Sequence, residues 1–336
     1  MRAFATRHPV WLGLIALAVL VGLWLIFAVW PDTLVAAIGR KKVFLSAIFN
    51  GVTLGGLYFL VASGFTLIFG LMRNVNMAHG SLYLFGGYVG FFAAEWTGSW
   101  LMAFPVAFVV VGALGVIMQV VVFRPLQGQE LRQTLITIGL SIVLADLMLW
   151  GFGADNYNIQ APSWLSGPVQ TFFITGQRSS GAYVYLTYPR VRIVMFAASV
   201  VVGVGMWLLL NKTRIGMVIR AGVDDGEILE AMGIRLQIVF VGVFAFGAGL
   251  AGLAGVVGGT FQSLAPGEDT RFLLGSLVVV IVGGMGSIPG AAIGALIIGL
   301  AEQLGSVYIP TYAVVITFVI MATVLAFRPQ GLLGRA

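Results

Sequence analysis

From residue 10 to residue 30 the chain runs without a charged side chain, and residues 43–70 and 100–123 repeat the pattern. About 20 apolar residues in a helix cover the ~30 Å hydrocarbon layer of a bilayer. In lipid every backbone N–H and C=O must be satisfied within the structure, which leaves helices or closed barrels. Barrel strands alternate in segments of about ten residues. These runs are longer and continuously apolar, so they read as helices. Composition excludes the soluble alternatives: 60% of the 336 residues are hydrophobic and 9% are charged, against about 25% charged in an ordinary soluble domain. Too little polar surface remains to coat a globule, which removes a cytosolic enzyme, a disordered regulator and a nucleic-acid-binding module. The fold class is all-α, a polytopic transmembrane bundle of about 8–10 spans with Gly-broken or re-entrant segments.

The expected spans are 10–30, 43–70, 75–95, 100–123, 133–153, 192–210, 238–260, 272–290, 291–304 and 312–327. Arg2 and Arg7 resemble the basic start of a signal peptide, but the apolar run behind them is too long and lacks a small-residue cleavage site. It reads as a retained span, so residues 1–42 form an extra span and linker ahead of a transmembrane domain at 43–336. A long polar stretch, 154–191, divides the spans. Segments 291–304 and the end of 272–290 are short and broken by Gly and Pro, which suits re-entrant half-helices. Basic residues set the orientation. With the N-terminus, Arg73, Arg124, Arg132, the 211–236 segment and the C-terminus inside, eleven Lys and Arg lie inside and seven outside. Arg40, Lys41 and Lys42 fall outside and oppose the bias.

Four groups of residues are candidates for function. Eight of the thirty charges fall between Asn211 and Gln237. A short helix over 225–232, with Asp225, Glu227 and Glu230 in its first turns and Gly233 as its stop, follows from capping chemistry. It is either a solvated loop or a docking helix whose apolar face (Ile228, Leu229, Ala231, Met232) enters another protein's groove. Asn74, Asn76 and His79 sit between two hydrophobic runs beside Gly86, Gly87 and Gly90. They mark either an interfacial turn or a broken helix whose freed backbone meets substrate or water.

Glycines supply the third group. Gly286, Gly290 and Gly294 step at small-xxx-small spacing beside Gly283 and Gly284, and the pairs Gly51/Gly55 and Gly255/Gly259 repeat that spacing. Close helix packing is the expected use. The fourth group is the intramembrane acids Asp146, Glu95 and Glu302, of which Glu95 and Glu302 are expected near interfaces. No Arg or Lys partner for them is legible within the spans. Cysteine is absent, and no zinc motif, catalytic triad or Walker A phosphate loop appears. The chain is expected to need no cofactor and no metal, so ATP-driven work would fall to another chain.

Asn50-Gly-Val-Thr-Leu-Gly-Gly-Leu-Tyr58 and Val75-Asn-Met-Ala-His-Gly80 resemble the high-affinity branched-chain amino acid permeases of bacterial ABC importers, the LivH/LivM type. The resemblance continues through Phe123-Arg-Pro-Leu126, Ile136-Thr-Ile-Gly-Leu140, Thr213-Arg-Ile-Gly216, Arg220-Ala221, Met232-Gly-Ile234, Gly283-Gly-Met-Gly-Ser-Ile-Pro-Gly290 and Arg328-Pro-Gln-Gly-Leu332. It covers roughly 45–333 in consistent order. It implies a multi-pass inner-membrane subunit working with a second, related permease, two cytoplasmic ATP-binding subunits and a periplasmic solute-binding protein, and no nucleic acid. It favours the docking reading, with Arg220, Asp225, Glu227, Glu230, Ala231 and Gly233 on the ATPase-coupling face. The first span lies ahead of the shared region, Ser81 stands where relatives often carry an acid, and Asp146 stands where they carry neutral residues.

The expected function is import of a small polar solute, most of all branched-chain amino acids, with urea, short amides or aromatic acids as alternatives. Asn76, His79 and Asp146 are the expected residues of the translocation path. The binding protein would dock near the 154–191 loop with Asn156, Tyr157, Trp164 and Tyr183. A stand-alone secondary transporter is the competing class, and it would need an essential intramembrane acid, Asp146.

Overall fold

The computed structural model describes residues 40–72, 75–177, 182–224, 229 and 231–334; the span expected at 10–30 lies outside them. Ten helices occur among the described residues: α1 Lys41–Met72, α2 His79–Thr97, α3 Ala103–Met118, α4 Glu130–Phe152, α5 Arg190–Lys212, α6 Arg214–Asp224, α7 Leu236–Phe261, α8 Glu268–Gly283, α9 Ile288–Tyr308 and α10 Ala313–Phe327. A π-helical turn, Gln119–Phe123, extends α3. Seven stretches are long and apolar enough to cross a bilayer: Lys41–Gly70, Trp100–Phe123, Glu130–Phe152, Arg190–Lys212, Leu236–Phe261, Ile288–Tyr308 and Pro310–Phe327. The protein is an all-α multi-pass membrane bundle.

Helices α1 and α7 form its centre, with 89% and 61% of their spans buried, whereas α4 and α10 bury only 11% and turn their apolar faces outward. No hydrophobic gradient drives one helix against another in lipid, so close backbone approach has to supply the contact. A Cβ on Gly51 would stand 2.8 Å from Leu300 Cα, and one on Gly55 2.8 Å from the Ala295 carbonyl, so α1 crosses α9 through glycine on both sides with Gly299 opposite. Gly255 meets the Tyr83 carbonyl and Gly87 on α2. These three glycines pack as expected. Gly259 does not: it faces the side chains of Leu264 and Ile159, under a loop and not against a helix backbone.

The 283–294 stretch departs further from expectation. Gly283 ends α8, and Gly284 (φ +107°) and Gly286 (φ +79°) form the turn that follows. The Ser287 hydroxyl then accepts from the Gly290 amide at 3.2 Å, with Pro289 in the first turn, and α9 starts at Ile288. This cap and proline place the helix boundary between Gly286 and Gly290, so the small-xxx-small series begins only at Gly290. Gly290 meets the Gly283 carbonyl, and Gly294 lies 2.6 Å (as a Cβ) from the Val279 carbonyl, tightening α9 on α8. Residues 291–304 therefore belong to a continuous 21-residue helix and are not a re-entrant half. The C-terminal tail seals this end, with Leu332 and Leu333 amides donating to the Val282 and Gly283 carbonyls at 2.9 and 3.0 Å.

The polar 154–191 stretch contains an antiparallel hairpin, β1 Pro168–Gln177 and β2 Tyr183–Pro189, paired from Pro168/Pro189 to Gln177/Tyr183. Its signal was the β-branched and aromatic content of Thr171-Phe-Phe-Ile-Thr175 and Tyr183-Val-Tyr-Leu-Thr-Tyr188 around Ser179-Ser-Gly181. Tyr188 bonds the Thr53 hydroxyl at 3.0 Å and donates to Asn50 Oδ1 at 3.1 Å, and Phe173 packs edge-on against Phe49 at 5.3 Å. Burial holds the Tyr188 phenol above its usual range, so it stays neutral while it makes these bonds. The hairpin is thereby tied to the start of α1, which puts Arg40, Lys41 and Lys42 on the hairpin end of the bundle.

Candidate translocation site and coupling face

Helix α2 begins inside the bundle. Its first residue, His79, is fully buried, and the ring Nε2 lies 3.0 Å from the Val61 carbonyl of α1. Val61 lies eleven residues before the end of α1 at Met72, which is about 16 Å along the helix. The chain therefore turns back into the bundle before α2 starts. Local polar chemistry makes the turn possible. Asn76 Oδ1 accepts from the Ala78 amide at 3.0 Å, Thr137 of α4 accepts from the Met77 amide at 3.2 Å, and the His79 amide donates to the Asn76 carbonyl at 3.2 Å. Asn76 is 2% exposed; its Nδ2 and the His79 Nδ1 have no partner among the described residues. Asn76 and His79 are thus both buried where α2 starts against α1. Gly64 makes room for the ring, since a Cβ there would stand 3.2 Å from His79 Cε1.

Helix α8 is the second short helix. Its 16 residues rise about 24 Å, less than the hydrocarbon thickness. Its N-terminal turn carries Glu268 and Asp269, with Gly267 ahead in the left-handed region (φ +93°). Gly80 in the first turn of α2 leaves room for the Asp269 carbonyl. The N-terminal turns of α2 and α8 thus meet at Gly80 and Asp269.

Beside this crossing lies a charged cluster that sequence reasoning missed. Arg271 of α8 bonds Glu302 of α9 at 3.2 Å and Glu268 at 3.3 Å, and both ion pairs seen among the described residues belong to it. It reaches Gln262 Oε1 at 3.3 Å and lies 5.6 Å from the centre of the Phe272 ring. Tyr58 of α1, 2% exposed, donates to the other Glu302 oxygen at 2.6 Å. Glu302 was expected near an interface and without a basic partner; it has one, and it sits six residues before the end of α9 at Tyr308. The partners are 31 and 244 residues away in sequence, beyond the reach of local spacing. The intact signal was Tyr58 itself, at the end of the first shared motif.

Asp146 lies elsewhere. It is exposed on α4, on the outward face with Ile142, Val143, Leu147 and Trp150, and the structure does not bring it to the junction.

At the end opposite the hairpin, Thr213 joins α5 to α6: its hydroxyl accepts from the Gly216 amide at 3.1 Å, and Gly216 lies against the carbonyls of Leu209 and Leu210. Arg220 donates to Asn211 Oδ1 at 3.0 Å. Ile215 and Met217 are exposed while Ile219 is buried, so apolar side chains of α6 stay open on more than one side. Asp225, Glu227 and Glu230, with Ile228, lie outside the described residues. Of the expected apolar docking face, Leu229 is buried in this chain at 3% exposure, whereas Ala231 and Met232 are exposed. Leu229 anchors the segment inward because the Ile234 amide returns to its carbonyl at 3.2 Å, and the turn closes at Gly233 (φ +83°). A cavity of about 620 Å³ opens beside it, lined by Gly233, Arg235, Val120 and Arg124.

Residues 47–325 match the family described as branched-chain amino acid transport system / permease component. The chain is 32% identical over 304 residues to the high-affinity branched-chain amino acid transport system permease protein BraD of Pseudomonas aeruginosa, spanning 87% of this chain and 96% of that one. It is 33% identical over 305 residues to the permease protein LivH of Escherichia coli K12, with the same coverage. The probable branched-chain amino acid transport permease protein LivH of Methanocaldococcus jannaschii is 28% identical over 308 residues, spanning 88% of this chain and 93% of that one. No solved structure matches the chain. The junction of α2 with α8, the Arg271 cluster and the α5–α6 turn all fall within the matched range, and the chain belongs to the permease-component family of branched-chain amino acid transport systems.

Proposed function

We propose that the protein is the membrane-spanning subunit of an ATP-driven importer of branched-chain amino acids in a bacterial inner membrane. The near full-length likeness to permeases named for that substrate carries the reading. Two helix starts meeting beside a charged cluster support it, because charge among apolar helices is costly and suits the handling of a polar solute.

In this reading a second, related permease completes the pore, and two cytoplasmic subunits bind and hydrolyse ATP, so this chain holds no cofactor of its own. A periplasmic protein delivers the solute at the hairpin end, where Trp164, Phe172 and Tyr183 are exposed. The coupling face comprises Arg220, Asp225, Glu227, Glu230, Ala231 and Gly233. Its movement, driven by closure of the ATP-binding subunits, switches the pore between outward and inward access. Met232 is the apolar contact offered to those subunits, and Leu229 transmits the motion into the bundle. Asn76 and His79 hold the break in the path from behind, as buried supports of the α2 start.

Purification from native membrane in mild detergent tests this. An ATP-binding subunit and a second permease should co-purify with the chain, and repeated recovery of the chain alone in active form would contradict the reading.

A further inference from the structure

Arg271, Glu268 and Glu302 join α8 to α9 by charge, yet their side chains keep 41%, 23% and 16% of their exposure. A clamp between α8 and α9 needs no charge. Glycine contacts already join these helices, and a desolvated ion pair is often no more stabilising than well-packed apolar residues. An open guanidinium–carboxylate cluster beside apolar helix faces suits a solute that carries both charges. The open stripe of α8 carries Arg271 and, one turn further, Leu274 at 45% exposure. Residues at i and i+3 share a helix face, so a guanidinium and an apolar surface stand side by side. Tyr58 holds one oxygen of Glu302, which leaves the other facing Arg271.

We infer that this cluster receives the charged head of an α-amino acid during transport, the substrate carboxylate pairing with Arg271 and its ammonium with Glu302 and Glu268, while an apolar side chain lies along Leu274. The pairs inside the protein exchange for pairs with the substrate, so the net charge of the site is the same at both stages. Two carboxylates against one guanidinium leave a negative excess, which rejects an acid lacking the ammonium. This assignment rests on the permease reading above and specifies its site.

The test uses the assembled importer in proteoliposomes, with L-leucine delivered by its binding protein, and the variants Arg271→Lys, Glu302→Gln and the charge-reversed pair R271E/E302R. Loss of a charge-assisted, forked contact should lower L-leucine uptake about tenfold or more in both single variants, with the complex intact and its ATP hydrolysis still stimulated by the loaded binding protein. The reversed pair should likewise assemble and should not regain uptake. Recovery of uptake in the reversed pair would make the cluster a clamp and overturn the inference. The unaltered complex gives a measurement independent of folding: phenylglyoxal modification of Arg271, read by mass spectrometry, should slow several-fold when L-leucine is trapped in the complex. Equal labelling with and without trapped L-leucine would overturn the inference. A wild-type complex that moves no L-leucine would instead remove the permease reading, and this inference with it.

Discussion

The Tyr58 hydroxyl donates to Glu302 at 2.6 Å, joining the central helix α1 to α9 across 244 residues of sequence. The bond fixes a carboxylate whose second oxygen holds Arg271 of α8, so three helices share one polar contact inside an apolar bundle. Gly275 makes this geometry available, because a Cβ there would collide with the Tyr58 ring.

Replacing Tyr58 with Phe removes the donor and keeps the ring. A hydrogen bond to a charged partner contributes about 1.5–3 kcal/mol, so thermal unfolding of the purified complex should move to lower temperature by a corresponding amount, and substrate uptake should fall with it. An unchanged melting temperature would show that Glu302 is held by Arg271 alone.

At Gly255 a side chain would enter the backbone of α2 at Tyr83 and Gly87. Gly255→Leu should therefore abolish the folded protein in the membrane, measured as detergent-extractable monodisperse chain. Gly139→Leu, with open space around it on α4, should leave that yield unchanged.

Leu229 and Met232 separate folding from coupling. Leu229→Asp buries an unpaired carboxylate and should cost several kcal/mol, about 3–5, visible as lost yield. Met232→Asp alters a side chain 73% exposed; the chain should assemble normally while ATP-driven uptake drops. Normal uptake in the Met232 variant would remove that residue from the coupling face.

Asp146 on the outward face of α4 is remote from the junction of α2 and α8. Asp146→Asn should preserve ATP-driven uptake within about twofold. Abolished uptake would place an essential acid where a gradient-driven transporter needs one.

What could be read from the sequence, and what could not, divides along the range of the interactions. Hydrophobic runs and small-xxx-small spacing are local, so α1, α3, α7 and the Gly51/Gly55 crossing were legible. Asn76 and His79 drew attention to the reversal before α2, but an interfacial turn and a broken helix fitted the same residues equally. The start of α9 was misplaced because Ser287 caps it and Pro289 opens it, and those signals compete with the glycine repeat running through them. The Arg271–Glu302–Tyr58 cluster was invisible because Arg271 and Glu302 each sit at a plausible span end and Tyr58 reads as one more aromatic inside an apolar run. Only the packing of α1, α8 and α9 brings the three together.

ATP-dependent uptake of L-leucine by proteoliposomes tests the central claim most directly, comparing the full complex with this chain alone. Uptake that requires the ATP-binding subunits and hydrolysable ATP, and that is absent for the chain alone, is the predicted result. Uptake by the chain alone, driven by an ion gradient and indifferent to ATP, would contradict it.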